Sequence, residues 1–568
     1  MSETIATSGT PGTADRHPGL STGTLLSAAF AVGVAQFGIS LPAVINGYIN
    51  QDLSTTSTQL TWVTAAFLVP VTLFELSFGV VGDLLGRKRL MVIGALLMAV
   101  GGVMGYLTPS GGITMLLAAQ VVAGIGAAAL LPSSVAALAA GTHTSRERAH
   151  AISIWAAALT AGGFLSPVVA GALAKLHHSG SEFASWRYAF LAMAVLAVLS
   201  AVVTATTASE STARAGRSLD WPGQITIGIG LFALLFAVIQ GADDGWGSPL
   251  VIGGFVIAVV FLALFVIVEQ RVDKPLIQLR LFSNRMFAVS AVVTVLGMFA
   301  YLGTAYATSI RLSSIQGYSP LMTSIGFVCL NIMGVVLFPI STKVIERFNP
   351  GWVLATAMAL IGIGDLALAA IPATYVSIAA VAVPLLVIGA GFKLAVTSIT
   401  VVAVNSVPTD KAGMASGATS MLRDFGLALG PAIVGTIALG NAAAAINSKV
   451  AANPTLQKSL DSFYAAPQHV PAEHRESVEA AVGAVKSGPL GANGVPSQIP
   501  GPDGQMMPFN PLKDVAFHAL SHGYAIGYLV TAGAALLAAV IAAVMLPRAE
   551  IHDHTTSTVS TAPEIESV

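Results

Sequence analysis

The chain has 568 residues, of which 55% are hydrophobic and only 9% are Asp, Glu, Lys or Arg. An ordinary soluble domain has about 25% charged residues, so this chain cannot cover a water-facing surface and must face lipid along most of its length. The net charge of -1 excludes the basic footprint of a nucleic-acid-binding protein. The single cysteine, Cys329, excludes an internal disulfide and a Cys-rich metal site.

In chain order, the sequence begins and ends with polar segments. Residues 1–22 and 547–568 are rich in Ser and Thr, and no apolar core with a cleavage site follows the first, so they predict disordered cytoplasmic tails. A membrane-spanning helix needs roughly 20 mostly apolar residues. About fourteen stretches between the tails meet this requirement: 23–45, 61–82, 90–107, 112–138, 150–174, 188–207, 221–240, 249–269, 287–307, 320–341, 351–371, 375–405, 413–440 and 522–546.

Basic residues predict the orientation of these spans. With both termini in the cytoplasm, short cytoplasmic segments hold about 16 Lys and Arg residues and short outer segments hold about 3, which the positive-inside rule favours. The predicted location is the inner or plasma membrane.

One long segment, 441–521, falls on the predicted outer side. Residues 453–466 and 471–486 predict short helices, and the Gly/Pro-rich residues 487–505 predict turns. Three interpretations stay open for a loop of this length: a solvated loop, a cap over the outer exit, or a binding site for an envelope partner.

Two stretches of the chain look alike. Each has a Gly-rich span, a short cytoplasmic loop and a span with Gly and Pro; one runs from Gly124 to Pro167 and the other from Gly389 to Pro431. Such repeats are usual in secondary transporters, whose substrate site lies between the two halves near the middle of the bilayer. The repeat predicts an all-α membrane protein with six-helix bundles at 23–207 and 287–546 and two extra helices at 221–269. Chance similarity between Gly-rich helices is the alternative.

A short loop, GVVGDLLGRKRL (79–90), separates the second and third spans. Its glycines permit tight turns and close helix approach, and its aspartate ends an apolar span, where a lone carboxylate needs a partner. A plain basic cytoplasmic turn explains the bases but not the spacing of the glycines and the aspartate. The candidate loop residues are Gly79, Gly82, Asp83, Gly86, Arg87 and Lys88.

This GxxGDxxGRK loop resembles the signature loop of the major facilitator superfamily. The resemblance implies the major facilitator fold and a conformational latch, in which Asp83 holds the end of a helix in the other half of the molecule. The matching partner would be the start of the thirteenth span, near Thr409 to Gly413.

Further stretches resemble the fourteen-span drug:proton antiporter branch of that superfamily. They are QLTWVTAAFLVP (59–70), SWRYAF (185–190), SLDWPGQ (218–224), GADDGWGSPL (241–250) and QGYSPL (316–321). FLSPVVAG (164–171) is similar to the branch's antiporter motif in the fifth span. With its repeat, this motif implies antiporter-type helix packing at Gly163, Pro167, Gly171, Gly430 and Pro431.

The branch resemblance implies an exporter of amphipathic or lipophilic compounds, including drugs and antibiotics, that needs no cofactor and uses the proton gradient. Three positions depart from the branch pattern. Gly33 stands where the branch has an aspartate, Gln120 stands where it has an arginine, and Ser166–Pro167 replaces Gly-Pro. Other acids must then carry proton coupling.

Ionisable residues at membrane depth are functional candidates because the bilayer disfavours them. The candidates for proton coupling are Glu75, Asp365, Arg423 and Asp424. Our hypothesis is that Glu75 and Asp424 titrate and that Arg423 modulates them, since a nearby cation stabilises a carboxylate. The alternative is a static ion pair, Glu75 with Arg423 or Asp365 with Lys393.

Four polar residues within the spans are candidates for the substrate cavity: Gln36, Gln120, Asn331 and Lys393. Lys393 is also a candidate contact for an anionic substrate group. No metal-ligand spacing, nucleotide-binding motif or nucleophile–base set is present, so we predict neither a metal site nor an enzyme. A narrow-specificity metabolite or lipid exporter, or a membrane receptor or scaffold without transport activity, are the competing interpretations.

Overall fold

A computed structural model of the chain describes residues 20–546 except 143, 175–183, 213–217, 408–411, 469 and 501–504. Nearly all of the predicted tails, 1–22 and 547–568, therefore lies outside the described residues. The described helices and strands are α1 (Thr22–Ser40), α2 (Pro42–Leu53), α3 (Ser57–Leu85), α4 (Arg87–Tyr106), α5 (Ile113–Gly141), α6 (Ser145–Leu173), α7 (Arg187–Thr207), α8 (Trp221–Asp244), α9 (Pro249–Glu269), α10 (Arg285–Ile310), α11 (Pro320–Val336), α12 (Phe338–Arg347), α13 (Pro350–Ala370), α14 (Ile378–Asn405), α15 (Ala412–Ala452), α16 (Pro454–Ala465), α17 (Ala472–Lys486), α18 (Pro489–Gly494), β1 (Gln498–Pro500), β2 (Met506–Pro508) and α19 (Lys513–Met545).

Thirteen helices in the described part of the chain are long and apolar enough to cross a membrane. The predicted span at 320–341 differs, because the helix is interrupted at Leu337 into α11 and α12. Pro339 has no backbone N–H and fits the first turn of a helix, so it starts α12 and does not continue α11. Pro42 likewise divides the predicted first span into α1 and α2. In contrast, α15 continues past the predicted end at 440 to Ala452.

Local sequence signals explain where several helices begin. Thr56 and Gln59 form a capping box at α3, in which each side chain accepts a hydrogen bond from the other's backbone N–H. Asp220 accepts from the N–H of Gly223 at 2.8 Å and so caps α8. Its second carboxylate oxygen accepts from the N–H of Leu276 at 3.2 Å, which ties the segment after α9 to the start of α8.

The helices before residue 207 pack mainly on one another, and so do α10, α11, α13, α14, α15 and α19. The main contacts between these two sets are α3 with α15 and α6 with α11. The α8–α9 hairpin packs beside α3 and α15. Any group on the facing sides of α3 and α15, or of α6 and α11, therefore lies between the two sets.

The segment after α15 folds into a small cap made of α16, α17, α18 and the antiparallel β1–β2 pair. The two helices predicted at 453–466 and 471–486 are present as α16 and α17. The region predicted as turns, 487–505, also contains the short helix α18, whose first five residues are buried. We call the end of the molecule that carries this cap the loop end, and the end that carries residues 79–90 the signature end.

Candidate functional site

A buried charged group joins α3 to α15. Arg423 lies 2.8 Å from Asp424, measured from Nε to Oδ1, and 3.7 Å from Glu75, measured from Nη2 to Oε1. Glu75 is 5% exposed and Asp424 is 2% exposed. Within the described part of the chain, Oε2 of Glu75 is buried and makes no hydrogen bond. The sequence hypothesis linked these three residues, and the fold brings them into contact.

Charge counting shows what this group can do. Two carboxylates share one guanidinium, so the three ionised side chains carry one excess negative charge. Uptake of one proton makes the group neutral. A buried carboxylate without a cation costs several kcal/mol of free energy, so a movement that separates Glu75 from Arg423 favours protonation of Glu75.

Gln224 holds α3 beside this group, and sequence reasoning missed it. Its amide donates to the backbone carbonyl of Leu73 and accepts from the hydroxyl of Ser77, the residues two before and two after Glu75. The hairpin helix α8 is thereby fastened to the turn of α3 that carries Glu75. The available signal was the motif SLDWPGQ, because Gln224 is the polar residue that ends it.

Asp365 lies apart from the charged group, in the core formed by α10, α13 and α19. Its side chain is fully buried and accepts a hydrogen bond from Thr304 at 2.6 Å, while its second carboxylate oxygen has no partner among the described residues. The ion pair suggested between Asp365 and Lys393 is absent from the described part of the chain. Lys393 instead lies over the ring of Phe338, with Nζ 5.2 Å from the ring centre.

Polar side chains from both sets of helices meet where α1, α6, α10 and α11 approach one another. Asn331 accepts from the hydroxyl of Tyr301 at 3.3 Å, and the ring of Tyr301 stacks on that of Phe392. Gly163 leaves room here, because a Cβ at that position would lie 3.4 Å from the amide oxygen of Asn331 and 3.5 Å from Gln36. Of the predicted cavity residues, Gln36 and Asn331 therefore face each other across a glycine.

Gln120, another predicted cavity residue, instead connects two helices. It is buried, and its amide donates to the backbone carbonyl of Val63 at 2.8 Å, which joins α5 to α3. Gly33 has a packing role as well. Gly162 of α6 lies directly against the backbone carbonyl of Gly33, so α1 and α6 are in backbone contact where the antiporter branch has an acid.

The antiporter-type glycines and prolines differ in their surroundings. A Cβ on Gly171 would lie 2.8 Å from the carbonyl oxygen of Pro320, so α6 and α11 approach closely there. A Cβ on Gly430 would lie 2.9 Å from the carbonyl oxygen of Phe299, which brings α15 against α10. Pro167 and Pro431 lie inside α6 and α15.

At the signature end, Asp83 and Arg87 form an ion pair of 2.7 Å. Gly86 has a φ of 111°, a conformation that side chains disfavour, and a Cβ there would lie 2.7 Å from the carboxylate of Glu210. Glu210 also accepts from the N–H of Lys88 at 3.0 Å. Sequence reasoning missed this acid, which fastens the loop to the segment after α7.

The predicted partner of the latch, near Thr409 to Gly413, falls largely on residues 408–411, which lie outside the described residues. Gly82 lies against α5, where a Cβ would lie 3.2 Å from the hydroxyl of Ser133. A Cβ on Gly79 would lie 3.7 Å from the ring of Pro132.

The SWRYAF motif has a structural task at the loop end. Arg187 lies 2.8 Å from Asp52 at the end of α2, and the indole N–H of Trp186 donates to the same carboxylate at 3.0 Å. Arg187 also donates to the carbonyl of Thr108 at 2.6 Å. These bonds fix α2 to the start of α7.

The sequence profile of the Major Facilitator Superfamily matches residues 26–431, well over half of the chain. The chain belongs to the Major Facilitator Superfamily. This confirms the family predicted from the signature loop. It is a multi-pass membrane transporter and not an enzyme.

Two relatives and one solved structure are similar to this chain. The chain is 30% identical over 418 residues to the multidrug resistance protein Stp of Mycobacterium tuberculosis, which covers 73% of this chain and 76% of Stp. It is 26% identical over 417 residues to the tetracenomycin C resistance and export protein of Streptomyces glaucescens, covering 73% and 75%. A bacterial homologue of the human lysosomal transporter Spinster, in an inward-facing and unoccupied conformation, shares the fold with a TM-score of 0.57 and 15% identity, covering 91% of this chain and 95% of that one.

Proposed function

We propose that this major facilitator transporter exports amphipathic or lipophilic compounds, including drugs, in exchange for protons. The names of its relatives, which record multidrug resistance and antibiotic export, support this substrate class. The excess of bases in the predicted cytoplasmic loops supports a cell-membrane protein with both termini inside. Export then runs toward the loop end, and the proton gradient supplies the energy without a cofactor.

The observation that carries this proposal is the group Glu75, Arg423 and Asp424 between α3 and α15. When the two sets of helices separate along this seam, Glu75 leaves Arg423 and takes up a proton from the side that it then faces. When the seam closes, Arg423 returns and stabilises the ionised form, so the proton is released. Asp365 is a further candidate for proton binding, because one of its buried carboxylate oxygens has no partner in the described residues.

The cluster around Asn331 is the proposed substrate contact. Stacked Tyr301 and Phe392 offer an apolar face, and the amides of Gln36 and Asn331 offer hydrogen bonds. A few polar groups on a mostly apolar wall suit amphipathic compounds of varied shape. Lys393 is the proposed contact for an anionic group on a substrate.

In this proposal, bundles 23–207 and 287–546 rock against each other while the pair 221–269 travels beside α3 and α15. Asp83, with Arg87 and the glycines of its loop, acts as the latch for one end state. Replacing Asp83 by Asn should then weaken export without removing it, since the latch biases the switch but does not bind substrate.

The test is ethidium accumulation in bacteria that lack their own exporters. We expect lower accumulation with the intact chain than with an empty vector, and loss of this difference when a protonophore is added. Glu75→Gln and Asp424→Asn should each abolish proton-driven export, because the amides cannot release a proton. In proteoliposomes, Glu75→Gln should retain exchange of labelled for unlabelled substrate, which needs no proton step.

The matched control is Asp461→Asn, the same change at an exposed acid of α16 whose side chain bonds Gln457. It should leave export intact. Unchanged proton-driven export in both Glu75→Gln and Asp424→Asn, at equal protein levels, would contradict the coupling role. No ethidium export from a correctly inserted chain would point instead to a narrow lipid or metabolite exporter.

A further inference from the structure

The cap at the loop end borders an open cavity that the transport cycle described above does not use. Its volume is about 930 Å³, and it lies between α17, α18, the β1–β2 pair and the last turn of α2. We call it the cap cavity. Small-molecule sites in proteins have volumes of about 300–1,000 Å³. The cap cavity is therefore large enough for a whole organic molecule.

The lining of the cap cavity is mostly apolar. Helix α17 contributes the apolar side chains of Val478 and Ala481, and the β1–β2 pair contributes those of Ile499 and Met507. Its floor is polar, because Asn50, Gln51 and Ser54 at the end of α2 face it. The polar side chains of His474, Ser477 and Ser487 also line the cavity. Apolar walls with several hydrogen-bonding groups suit an amphipathic molecule with a polar head.

No acidic side chain lines the cavity in the part of the chain that the structure describes. Binding therefore does not require a permanent positive charge on the ligand. Met507 is 43% exposed, which leaves an apolar rim at the cavity mouth. A ligand can enter from that side.

The floor of the cavity lies beside the seam between the two sets of helices. Gly47 of α2 packs against Ser313, which belongs to a π-helical turn (Arg311–Ile315) that extends α10. Asn493 of α18 donates to the carbonyl of Ser314 in the same turn at 2.7 Å. The cap thus touches α2 from one set of helices and the π-helical turn from the other. At the loop end these two elements are in contact with each other.

The end of α2 is rigidly placed. The bonds of Asp52 to Trp186 and Arg187 fix it to α7, so the polar floor of the cavity does not depend on a free helix end. A compound that leaves between α2 and the π-helical turn passes next to this floor.

We propose that the cap cavity is a second binding site, which holds the exported amphipathic compound after it leaves the seam. This inference rests on the proposed export function and on its direction toward the loop end. The ligand class is a neutral or weakly charged molecule with an apolar body and a hydrogen-bonding head. A membrane lipid has the same chemistry, so the experiment separates the two sources.

The test is photocrosslinking of the full chain in nanodiscs. One arm adds a neutral benzophenone alkylamide as a soluble amphipathic probe, and the other uses a phospholipid with a diazirine in its acyl chain. Crosslinked residues are mapped by mass spectrometry, which separates the cap from the central cluster around Asn331. We expect saturable labelling of residues 470–509 by the soluble probe and none by the lipid probe.

A pair of neighbouring alanines on α17 supplies the variant and its control. Ala481 lines the cavity, so Ala481→Trp should fill it and lower labelling of the cap roughly tenfold. Ala480 is exposed on the outer face, and Ala480→Trp should leave labelling unchanged. Ala484→Leu is a milder filling of the same cavity and carries the test if Ala481→Trp does not fold.

Equal cap labelling in the filled variants and the control would overturn the proposal, as would no cap labelling at all. Lipid-probe labelling that the soluble probe does not displace would also overturn it, since the occupant is then a membrane lipid. Labelling only when a second, envelope protein is supplied would do the same. Failure of ethidium export in cells reports on the proposed function separately, because cap labelling needs no proton gradient.

Discussion

The two seams between the halves of this transporter are built from different chemistry. The α3–α15 seam carries two buried acids and an arginine whose side chain is 21% exposed, whereas the α6–α11 seam is built around glycines and is uncharged at its close contacts among the described residues. On α6–α11, Gly171 lies against Pro320 and Gly334 lies against Thr160. The first seam changes energy when a proton binds, and the second allows close approach without charge.

This contrast assigns separate tasks to the seams. A buried ion group responds strongly to separation, because losing its partner leaves a charge in an apolar region. Contacts between small residues change little in energy as helices slide, since each is a short-range packing contact. Substitutions in the α3–α15 seam should therefore affect proton coupling. Substitutions in the α6–α11 seam should affect helix movement and substrate binding.

The largest expected effect comes from removing the cation of the charged seam. Arg423→Gln leaves Glu75 and Asp424 buried without a counter-charge, and loss of one partner of a buried pair costs about 3–5 kcal/mol. We expect a lower melting temperature in detergent and loss of export. The double variant Arg423→Gln with Asp424→Asn removes a carboxylate as well and should recover much of the stability. Equal stability of the single and double variants would show that the charges are not coupled.

The next effect concerns the tight end of the neutral seam. Gly171→Leu places a side chain where a Cβ alone would lie 2.8 Å from the carbonyl oxygen of Pro320. Overpacking of this kind costs about 1–3 kcal/mol, so we expect less folded protein and slower export. The matched control is Gly253→Leu in α9, where an added Cβ would meet no described atom within 4 Å. Similar export rates for the two variants would argue against close approach as the function of Gly171.

The sequence predicted much of the fold and less of the site. Apolar length alone gave the spans, because lipid requires it, and the prediction erred mainly where Pro42 and Pro339 divide a stretch that is apolar throughout. Buried charges such as Glu75 stand out in a sequence since they are costly in a membrane. Which of them meet depends on how distant helices are paired, and no local pattern encodes this.

Polar side chains that bond the backbone were the hardest to interpret from the sequence. Gln120 looked like a cavity residue, but its amide is used by the carbonyl of Val63. Gln224 was noted only as the last residue of a family motif, but its amide forms hydrogen bonds with α3 two residues before and two residues after Glu75. In the sequence, a glutamine that lines a cavity looks the same as one that bonds the backbone of another helix. Only the position of the neighbouring helix distinguishes the two.

A smaller effect should follow from loosening the charged seam without changing its charges. Gln224→Leu removes the bonds to Leu73 and Ser77, each worth about 1 kcal/mol or less. Protein levels should stay near normal, while proton-driven export should slow by roughly threefold because the turn carrying Glu75 is less well placed. The control is Gln316→Leu, which removes amide-to-backbone bonds to Ala373 and Tyr375 at the loop end. Equal slowing in both variants would assign the effect to general destabilisation.

The smallest effect, and the one that best separates the two seams, is expected at Asn331. Asn331→Leu removes a hydrogen-bonding amide from the proposed substrate cluster without adding charge, and Tyr301→Phe removes only the hydroxyl that bonds it. Both should raise the KM for substrate by a few-fold, since one hydrogen bond contributes about 0.5–1.5 kcal/mol, and leave the maximal proton-driven rate unchanged. Measured in proteoliposomes, Glu75→Gln should show the opposite pattern, with an unchanged KM for substrate exchange and a lost proton-driven rate. A lowered maximal rate in Asn331→Leu would mean that the neutral seam also takes part in coupling, and the division of tasks between α3–α15 and α6–α11 would then be wrong.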